Sequence, residues 1–223
     1  MFEGELLKTL GPNRVSFGSD IEPRYKKDFF QVDNYPICVV KPKTVEEIVK
    51  IVEIARHANL AIVPSGGNTG LVGGTRADGS IKLSLELFNQ IHEVDSKSMT
   101  MTVGAGVVLH TAQAAAVERG LFLPLDIGAR GSATIGGNVA TNAGGIRVLR
   151  WGMARELVVG LEAVLADGSV VSSMNKSIKN NAGYDWKHLL IGSEGTLGII
   201  TRVVLRTPPR PTKHADGAPR GQR

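Results

Sequence analysis

Two glycine-rich runs, Pro64-Ser-Gly-Gly-Asn-Thr-Gly70 and Ile135-Gly-Gly-Asn-Val-Ala-Thr-Asn-Ala-Gly-Gly145, constrain this chain more than any other feature. Glycine reaches positive φ and carries no Cβ, so successive backbone N–H groups can converge on one anion. Ser65, Asn68, Thr69, Asn138, Thr141 and Asn142 add short polar side chains among those glycines. A single run of this kind reads equally well as an ordinary turn. Two of them, the second set in the apolar stretch 133–143, point instead to the walls of a pocket for a phosphate-bearing ligand.

Neither run fits the two commonest nucleotide signatures. A P-loop needs Gly-x-x-x-x-Gly-Lys-Ser/Thr, and no Gly-Lys pair occurs in the chain. Gly128-Ala-Arg-Gly-Ser-Ala133 and Gly104-Ala-Gly106 lack the third glycine and the acidic residue of a dinucleotide fingerprint.

At 223 residues the chain has room for one large domain or two small lobes around a sizeable core. The net charge of +5 suggests nucleic acid until it is located. Residues 207–223 hold Arg210, Lys213, Arg220 and Arg223 against Asp216 and so carry +3 of it, leaving +2 for the rest. With no basic stripe interleaved with aromatics, no nucleic-acid partner is expected. No apolar run has the length of a membrane span, and Met-Phe-Glu-Gly-Glu at the start lacks the basic and apolar parts of a secretion signal. These features lead us to expect an intracellular protein, cytoplasmic in a bacterium and mitochondrial in a eukaryote. The one cysteine, Cys38, sits in a strand-like apolar run and reads as structural. Histidines at 57, 92, 110, 188 and 214 are scattered, so no metal site is expected.

Along the chain, residues 1–36 predict a short helix and an extended arm. Ile37 to Val40 is β-rich, and Thr44-Val-Glu-Glu47 has the form of a capping box whose Glu47 returns a bond to the Thr44 backbone. Val45, Ile48, Val49, Val52 and Ala55 then recur at helical spacing, which predicts a helix over 45–57 ending at Asn59. Strands follow at 60–63 and 81–85, with the first glycine run directly after the former. The implied unit is a short parallel sheet with a crossover helix. A strand over 99–103, a helix over 108–119 closed by Gly120, a hairpin around Ala166-Asp-Gly-Ser169 and a last strand over 198–206 suggest an antiparallel second lobe. Four of the ten prolines fall in the last seventeen residues, which predicts a disordered tail over 209–223.

These segments together resemble the PCMH-type FAD-binding domain of the vanillyl-alcohol oxidase superfamily. Within it they are most similar to the FAD-linked D-2-hydroxyacid dehydrogenases of the D-2-hydroxyglutarate or D-lactate type. The resemblance rests on Pro64 to Gly74, Pro124-Leu-Asp-Ile-Gly-Ala-Arg-Gly-Ser132 with the run to Gly145, Asn181-Ala-Gly-Tyr-Asp185 and Gly192-Ser-Glu-Gly-Thr-Leu-Gly-Ile-Ile-Thr201.

The resemblance implies an α+β fold over 37–208, with a small parallel βαβ lobe over 37–98 and a larger antiparallel-sheet lobe flanked by helices over 99–208. It implies that Pro64, Ser65, Gly66, Gly67, Asn68 and Thr69 wrap the FAD pyrophosphate, with Gly70 and Leu71 continuing toward the ribityl chain. Pro124, Asp126, Ser132, Ala133, Thr134, Gly136, Gly137, Asn138, Thr141, Asn142 and Gly144 would line the flavin and ribityl from the other side. Glu194, Gly195 and Ile200 would close over the adenosine half. Many relatives tether the flavin through a histidine near the first loop; Asn68 stands at that place here, so the FAD is expected to be noncovalent.

The implied reaction oxidises a 2-hydroxyacid to a 2-oxoacid by hydride transfer to FAD, for an unidentified electron acceptor, with a homodimer among the assemblies considered. In that family a second domain supplies a metal-bound histidine pair, a base histidine and substrate arginines. None of these motifs is in the sequence, so no catalytic residue is assigned and the chain is expected to be incomplete as an enzyme. The alternatives are a noncatalytic FAD-binding module needing another chain, or a sugar or alcohol oxidase of the same superfamily. Arg147, Arg150 and Trp151 read equally as a substrate-facing group or a solvated turn. Tyr184 and Trp186 read as core, and Glu194 as a carboxylate that orders its loop.

Overall fold

The computed structural model describes residues 2–210. Helix α1 (Phe2–Leu10) buries Leu6 and Leu10, one turn apart, on the same face. It leads into strand β1 (Val15–Phe17), which pairs antiparallel with β2 (Cys38–Val40). Helix α2 (Val45–His57) is capped by Thr44, whose Oγ1 accepts from the Glu47 N–H at 3.3 Å. The Glu47 carboxylate returns its bond to the Lys43 N–H at 2.6 Å, one residue before the expected Thr44, and pairs with both terminal nitrogens of Arg14. Asn59 ends the helix in the left-handed region at φ 52°.

Strands β3 (Ile62–Ser65) and β4 (Ile81–Ser84) complete a four-stranded sheet in the order β1-β2-β4-β3, with β4 parallel to both β2 and β3. The expected parallel unit is therefore present, widened by β1, which the sequence reading had left in the N-terminal arm. Strand β3 also starts two residues later than expected and runs through Ser65. The first two positions of the glycine segment thus lie on a strand, with Pro64 opposite Leu83 and Ser65 opposite Ser84.

A second sheet takes the order β5-β6-β9-β7-β8 and is antiparallel throughout. Its strands are β5 (Ile91–Asp95), β6 (Thr100–Gly104), β7 (Val158–Val164), β8 (Val170–Ser173) and β9 (Ile199–Arg206). Because β5 pairs with β6, this sheet begins ahead of the expected division at 98/99. Helix α3 (Leu109–Glu118) closes at Gly120, φ +71°. The short helices α4 (Ile135–Ala140), α5 (Val148–Trp151) and α6 (Ala154–Leu157) follow before β7, and α7 (Lys187–Leu190) precedes β9. One hydrophobic cluster runs through both sheets, from Val40, Ile81 and Leu83 to Met101, Leu161 and Val203. At the C-terminal side, Pro209 still bridges Leu121 and the Arg210 N–H donates to the Gly120 carbonyl at 3.1 Å. Most of the predicted tail, 211–223, lies outside the described residues.

Candidate functional site

The first six residues of the second glycine run form a helix rather than a loop. Thr134 caps α4, its Oγ1 accepting from the Gly137 N–H at 3.4 Å, and Gly136 lets the helix sit on the start of the Ala105 loop. A Cβ at Gly136 would lie 2.6 Å from the Ala105 Cβ, so close packing alone requires glycine there. The apolar residues around these glycines, Ile135 and Val139, are buried in the core.

The first run crosses the N-terminal end of this helix. A Cβ at Gly66 would lie 2.2 Å from Thr134 Oγ1, and one at Gly67 would lie 1.9 Å from the Ser132 carbonyl oxygen. Between them opens a cleft lined by ten of the residues expected at the site: Pro64, Ser65, Gly66, Gly70, Gly136, Gly137, Thr141, Glu194, Gly195 and Ile200. Val72, Gly74, Thr75, Leu85, Ala140 and Gly198 also line it. Gly74 ends the quoted glycine segment, whereas the walls made by Leu85 and Ala140 arise from β4 and α4 folding together and carry no local sequence signal.

The Gly192–Thr196 turn closes the third side. The Gly192 N–H donates to the Val139 carbonyl and the Glu194 N–H to the Ala140 carbonyl, at 3.1 and 2.9 Å, which ties the turn to the C-terminal end of α4. Glu194 takes φ 52° and Gly195 φ 82°, with the Gly195 backbone against the Pro64 ring. The loop is therefore ordered by the Glu194 main chain, not by the carboxylate that the sequence reading had credited.

The other expected residues stand around the cleft rather than on it. Asn68 turns its side chain away: Nδ2 donates to the carbonyls of Arg24 and Lys27, and Oδ1 accepts from the Thr75 hydroxyl. Asn142 Oδ1 accepts from the Arg155 N–H at 3.0 Å and so fixes α6. Thr141, one of the residues on the cleft, donates from Oγ1 to the Gly137 carbonyl. Leu71 is exposed, and Thr69 is half-buried. Ser132 and Ala133 stand behind Gly67 and Thr134 behind Gly66, while Asp126, two residues after Pro124, bridges Gly145 and accepts from the Ile146 N–H at its carbonyl. A Cβ at Gly144 would meet Val148 at 3.0 Å.

Arg147 is half-exposed but not free, since its guanidinium pairs with the buried Asp126 carboxylate at 3.1 Å and lies 4.8 Å over the Phe122 ring. Arg150 stacks on Trp151. Trp186 packs against the core as expected, but Tyr184 is 97% exposed, in an arch over 174–186 that has neither helix nor strand. That arch, with Arg155, Lys187 and Arg206, borders a separate polar cleft of about 410 Å³, so the Asn181–Asp185 motif does not join the glycine cleft.

The polar atoms left over fit a phosphate-bearing group. Four buried side-chain atoms among the described residues have no partner, and three of them, Ser65 Oγ, Asn138 Nδ2 and Ser193 Oγ, belong to the three segments that build the cleft. A buried donor without an acceptor is costly, and an anionic oxygen or a ligand amide would satisfy it. Gly70 and Gly137 add backbone that a ligand can approach, since a Cβ at Gly70 would meet nothing within 4 Å and one at Gly137 only Thr134 Oγ1. Among the described residues no group of three or more His, Cys, Asp or Glu is placed to hold a metal ion, and no helix is long and apolar enough to cross a membrane.

Comparison with known proteins agrees with this geometry. Residues 36–173 match the family described as the FAD binding domain. The chain is 48% identical over 209 residues to a D-2-hydroxyglutarate dehydrogenase of Xanthomonas citri pv. viticola, covering 92% of this chain and 43% of that protein. It is 49% identical over 175 residues to the mitochondrial D-2-hydroxyglutarate dehydrogenase of Bos taurus, covering 78% of this chain and 32% of the relative. The chain thus spans less than half the length of these relatives. Among solved structures, an alkyldihydroxyacetonephosphate synthase superposes with a TM-score of 0.82 at 25% identity, over 95% of this chain and 41% of that one. A p-cresol methylhydroxylase shares the fold at a TM-score of 0.81 and 21% identity, over 95% and 44% of the two chains. Two glycine runs meeting over a cleft with unpaired donors, in a chain matched from 36 to 173, place this protein in the FAD binding domain family, with FAD as its cofactor.

Proposed function

We propose that this chain is the FAD-binding part of a flavin-dependent D-2-hydroxyacid dehydrogenase of the D-2-hydroxyglutarate or D-lactate type. The observation that carries the reading is the cleft itself: Ser65, Gly66, Gly70, Gly136 and Gly137 facing one another, with Ser65 Oγ buried and unpaired at its wall. The identity to D-2-hydroxyglutarate dehydrogenases over most of this chain supports the substrate class.

In this reading the backbone of the first run and the Ser65 hydroxyl hold the pyrophosphate, and the N-terminal end of α4 faces it. The Gly192–Thr196 turn covers the adenosine half, and the wall from Pro124 to Thr134 with Asn138 and Gly144 excludes water from the flavin. Bound FAD supplies the acceptor for the hydride leaving the hydroxyacid α-carbon, the protein contributing orientation and electrostatics. The FAD is held noncovalently, because the first run offers Asn68 and no histidine lies between His57 and His92. The substrate domain, the electron acceptor and a homodimeric assembly belong to the whole protein and are proposed for it with the activity. A mitochondrial place in a eukaryote or a cytoplasmic one in a bacterium goes with the same reading.

The test is reconstitution of the whole protein, substrate domain included, with FAD, followed by anaerobic addition of D-2-hydroxyglutarate or D-lactate. Bleaching of the flavin absorbance by either acid supports the dehydrogenase reading. A yellow protein that stays oxidised with every hydroxyacid points to an FAD-binding module that needs another chain, and a chain that takes up no FAD overturns both.

A further inference from the structure

The arm over residues 21–36 lies on the face of the first sheet that carries Val39 and Lys82. Ile21 and Tyr25 pack on Val39, and the buried Lys82 Nζ donates to the Tyr25 carbonyl at 3.0 Å. Apolar burial is not what fastens its tip. Phe29 and Phe30 are 50% and 60% exposed, and the turn between Lys27 and Asp33 is held by the Asp28 carboxylate accepting from the Val32 N–H.

Two side chains tie this tip to the glycine loop. Asn68, at φ 55°, donates through Nδ2 to the Lys27 carbonyl at 2.6 Å and the Arg24 carbonyl at 3.3 Å. Its Oδ1 accepts from Thr75, so the same amide links the two ends of the loop to each other and to the arm. Arg76, toward the far end of the loop, donates from Nε and Nη2 to Asp28 Oδ2 at 2.8 and 2.6 Å, and Asp28 is itself buried. The loop between Ser65 and Ile81 has no helix or strand of its own, and these bonds tie it to the arm together with the Gly79 N–H donating to the Tyr35 carbonyl and the Tyr35 N–H donating to Asp78 Oδ1.

We infer that the arm and the glycine loop form one coupled unit: ligand binding at the loop orders the arm, and the arm sets the loop's affinity for FAD, with Asn68 as the positioning residue between them. The inference rests on the FAD reading above. A loop whose own amide is bonded both to its far side and to the arm loses conformational freedom together with that arm. A ligand that immobilises one therefore favours the ordered state of the other, and the coupling works equally in both directions. Asn suits the position twice over, since it tolerates the left-handed backbone and carries both a donor and an acceptor.

The test is hydrogen exchange on the full chain with and without FAD, alongside flavin titrations, for the wild type, Asn68→Gly and Asn68→Asp. Glycine keeps the left-handed backbone but removes the amide, and aspartate keeps the Thr75 acceptor but loses the donor to the arm. In the wild type, FAD slows exchange at the arm amides that close its turn, those of Gln31, Val32 and Asn34. In both variants that protection disappears and FAD binding weakens by roughly tenfold, the scale of one or two side-chain hydrogen bonds to backbone. A wild type that binds FAD with arm exchange unchanged overturns the inference while leaving the FAD reading intact. A wild type that takes up no FAD removes both, and variants that keep wild-type protection show that Asn68 does not carry the coupling.

Discussion

A Cβ placed on Gly67 would lie 1.9 Å from the carbonyl oxygen of Ser132, so the two glycine segments touch backbone to backbone. Glycine at 67 is thus required by the packing of the site before any ligand arrives, whereas Gly70 lines the same cleft with open space around it and no left-handed φ.

The pair separates folding from binding. Gly67→Leu forces the segments apart and lowers the melting temperature and flavin uptake together. Gly70→Leu leaves the apo-protein melting temperature unchanged and weakens FAD by at least about tenfold, or about 1.4 kcal/mol. Thermal melts and flavin fluorescence titrations check both, and wild-type affinity in a folded Gly70→Leu protein removes this cleft as the FAD site.

Lys82 gives a pH signature. Its side chain is fully buried beside one carbonyl, and burial pushes its ammonium down to about 8, with Asp28 and Asp78 opposing that fall. Unfolded lysine titrates near 10.4, so between about pH 8 and 10.4 the unfolded chain holds a proton the folded chain has released, and this group's contribution makes stability rise with pH. At neutral pH the buried charge costs roughly 3 kcal/mol relative to its neutral form. Lys82→Met removes the alkaline rise and leaves neutral-pH stability equal or higher, because the Asn34 amide, with its nitrogen turned to the Tyr25 carbonyl, reaches it at 3.2 Å. Chemical denaturation at pH 7 and pH 9.5 measures the slope; an unchanged slope in the variant assigns the rise to another group.

Much of this architecture is legible in the residues because local chemistry and tertiary packing agree there. The Thr44 cap, the left-handed Asn59 and Gly120, and the hairpin at Gly168, φ 89°, are fixed by backbone preferences that survive in the fold. Strand β1 was missed because three residues, Val15-Ser-Phe17, show no period, and it is a strand only because β2 lies beside it. Helix α4 has no signature in the residues because two glycines and an asparagine disfavour a helix there, and they are outweighed by burial of Ile135 and Val139 and by close approach to Ala105. The redirection of Asn68 toward the arm had no signal, since its partners are carbonyls more than forty residues away. Lys82 reads as the exposed position of an alternating strand, and only the arm covering that face buries it.

An ion pair between β7 and β9 supports the second sheet. Glu162 is buried on β7 and accepts from Arg202 and from the Thr201 hydroxyl on β9. Burial pushes the Glu162 carboxyl up, but the hydrogen bonds from Arg202 and Thr201 outweigh it and hold the group below the usual carboxylate range. A lowered folded value means the contribution is present above about pH 4.5 and is lost as the pH falls below it. Arg202→Ala, which leaves Glu162 buried with one partner, costs roughly 2 kcal/mol at pH 7, discounted for the half-exposed arginine. The difference from wild type shrinks on acidification, which denaturation curves at pH 7 and pH 3.5 test; a constant difference shows that Arg202 acts by packing alone.

Glu194 offers the sharpest test of what the third segment contributes. Its main chain holds the turn against α4 while its backbone sits at φ 52°, a region that disfavours residues with a Cβ, and its carboxylate faces the cleft next to Gly74. Glu194→Gly removes strain of about 1–2 kcal/mol from the folded state but frees the unfolded chain, so stability is unchanged or rises by up to about 1 kcal/mol. It also removes a negative charge from a cleft proposed to hold a pyrophosphate, so FAD affinity is unchanged or tighter, most visibly at low ionic strength. Melting curves and flavin titrations at two salt concentrations separate the two effects. A folded variant that loses FAD instead assigns the carboxylate a contact of its own on the cofactor and shows that the turn serves the site through its side chain as well as its backbone.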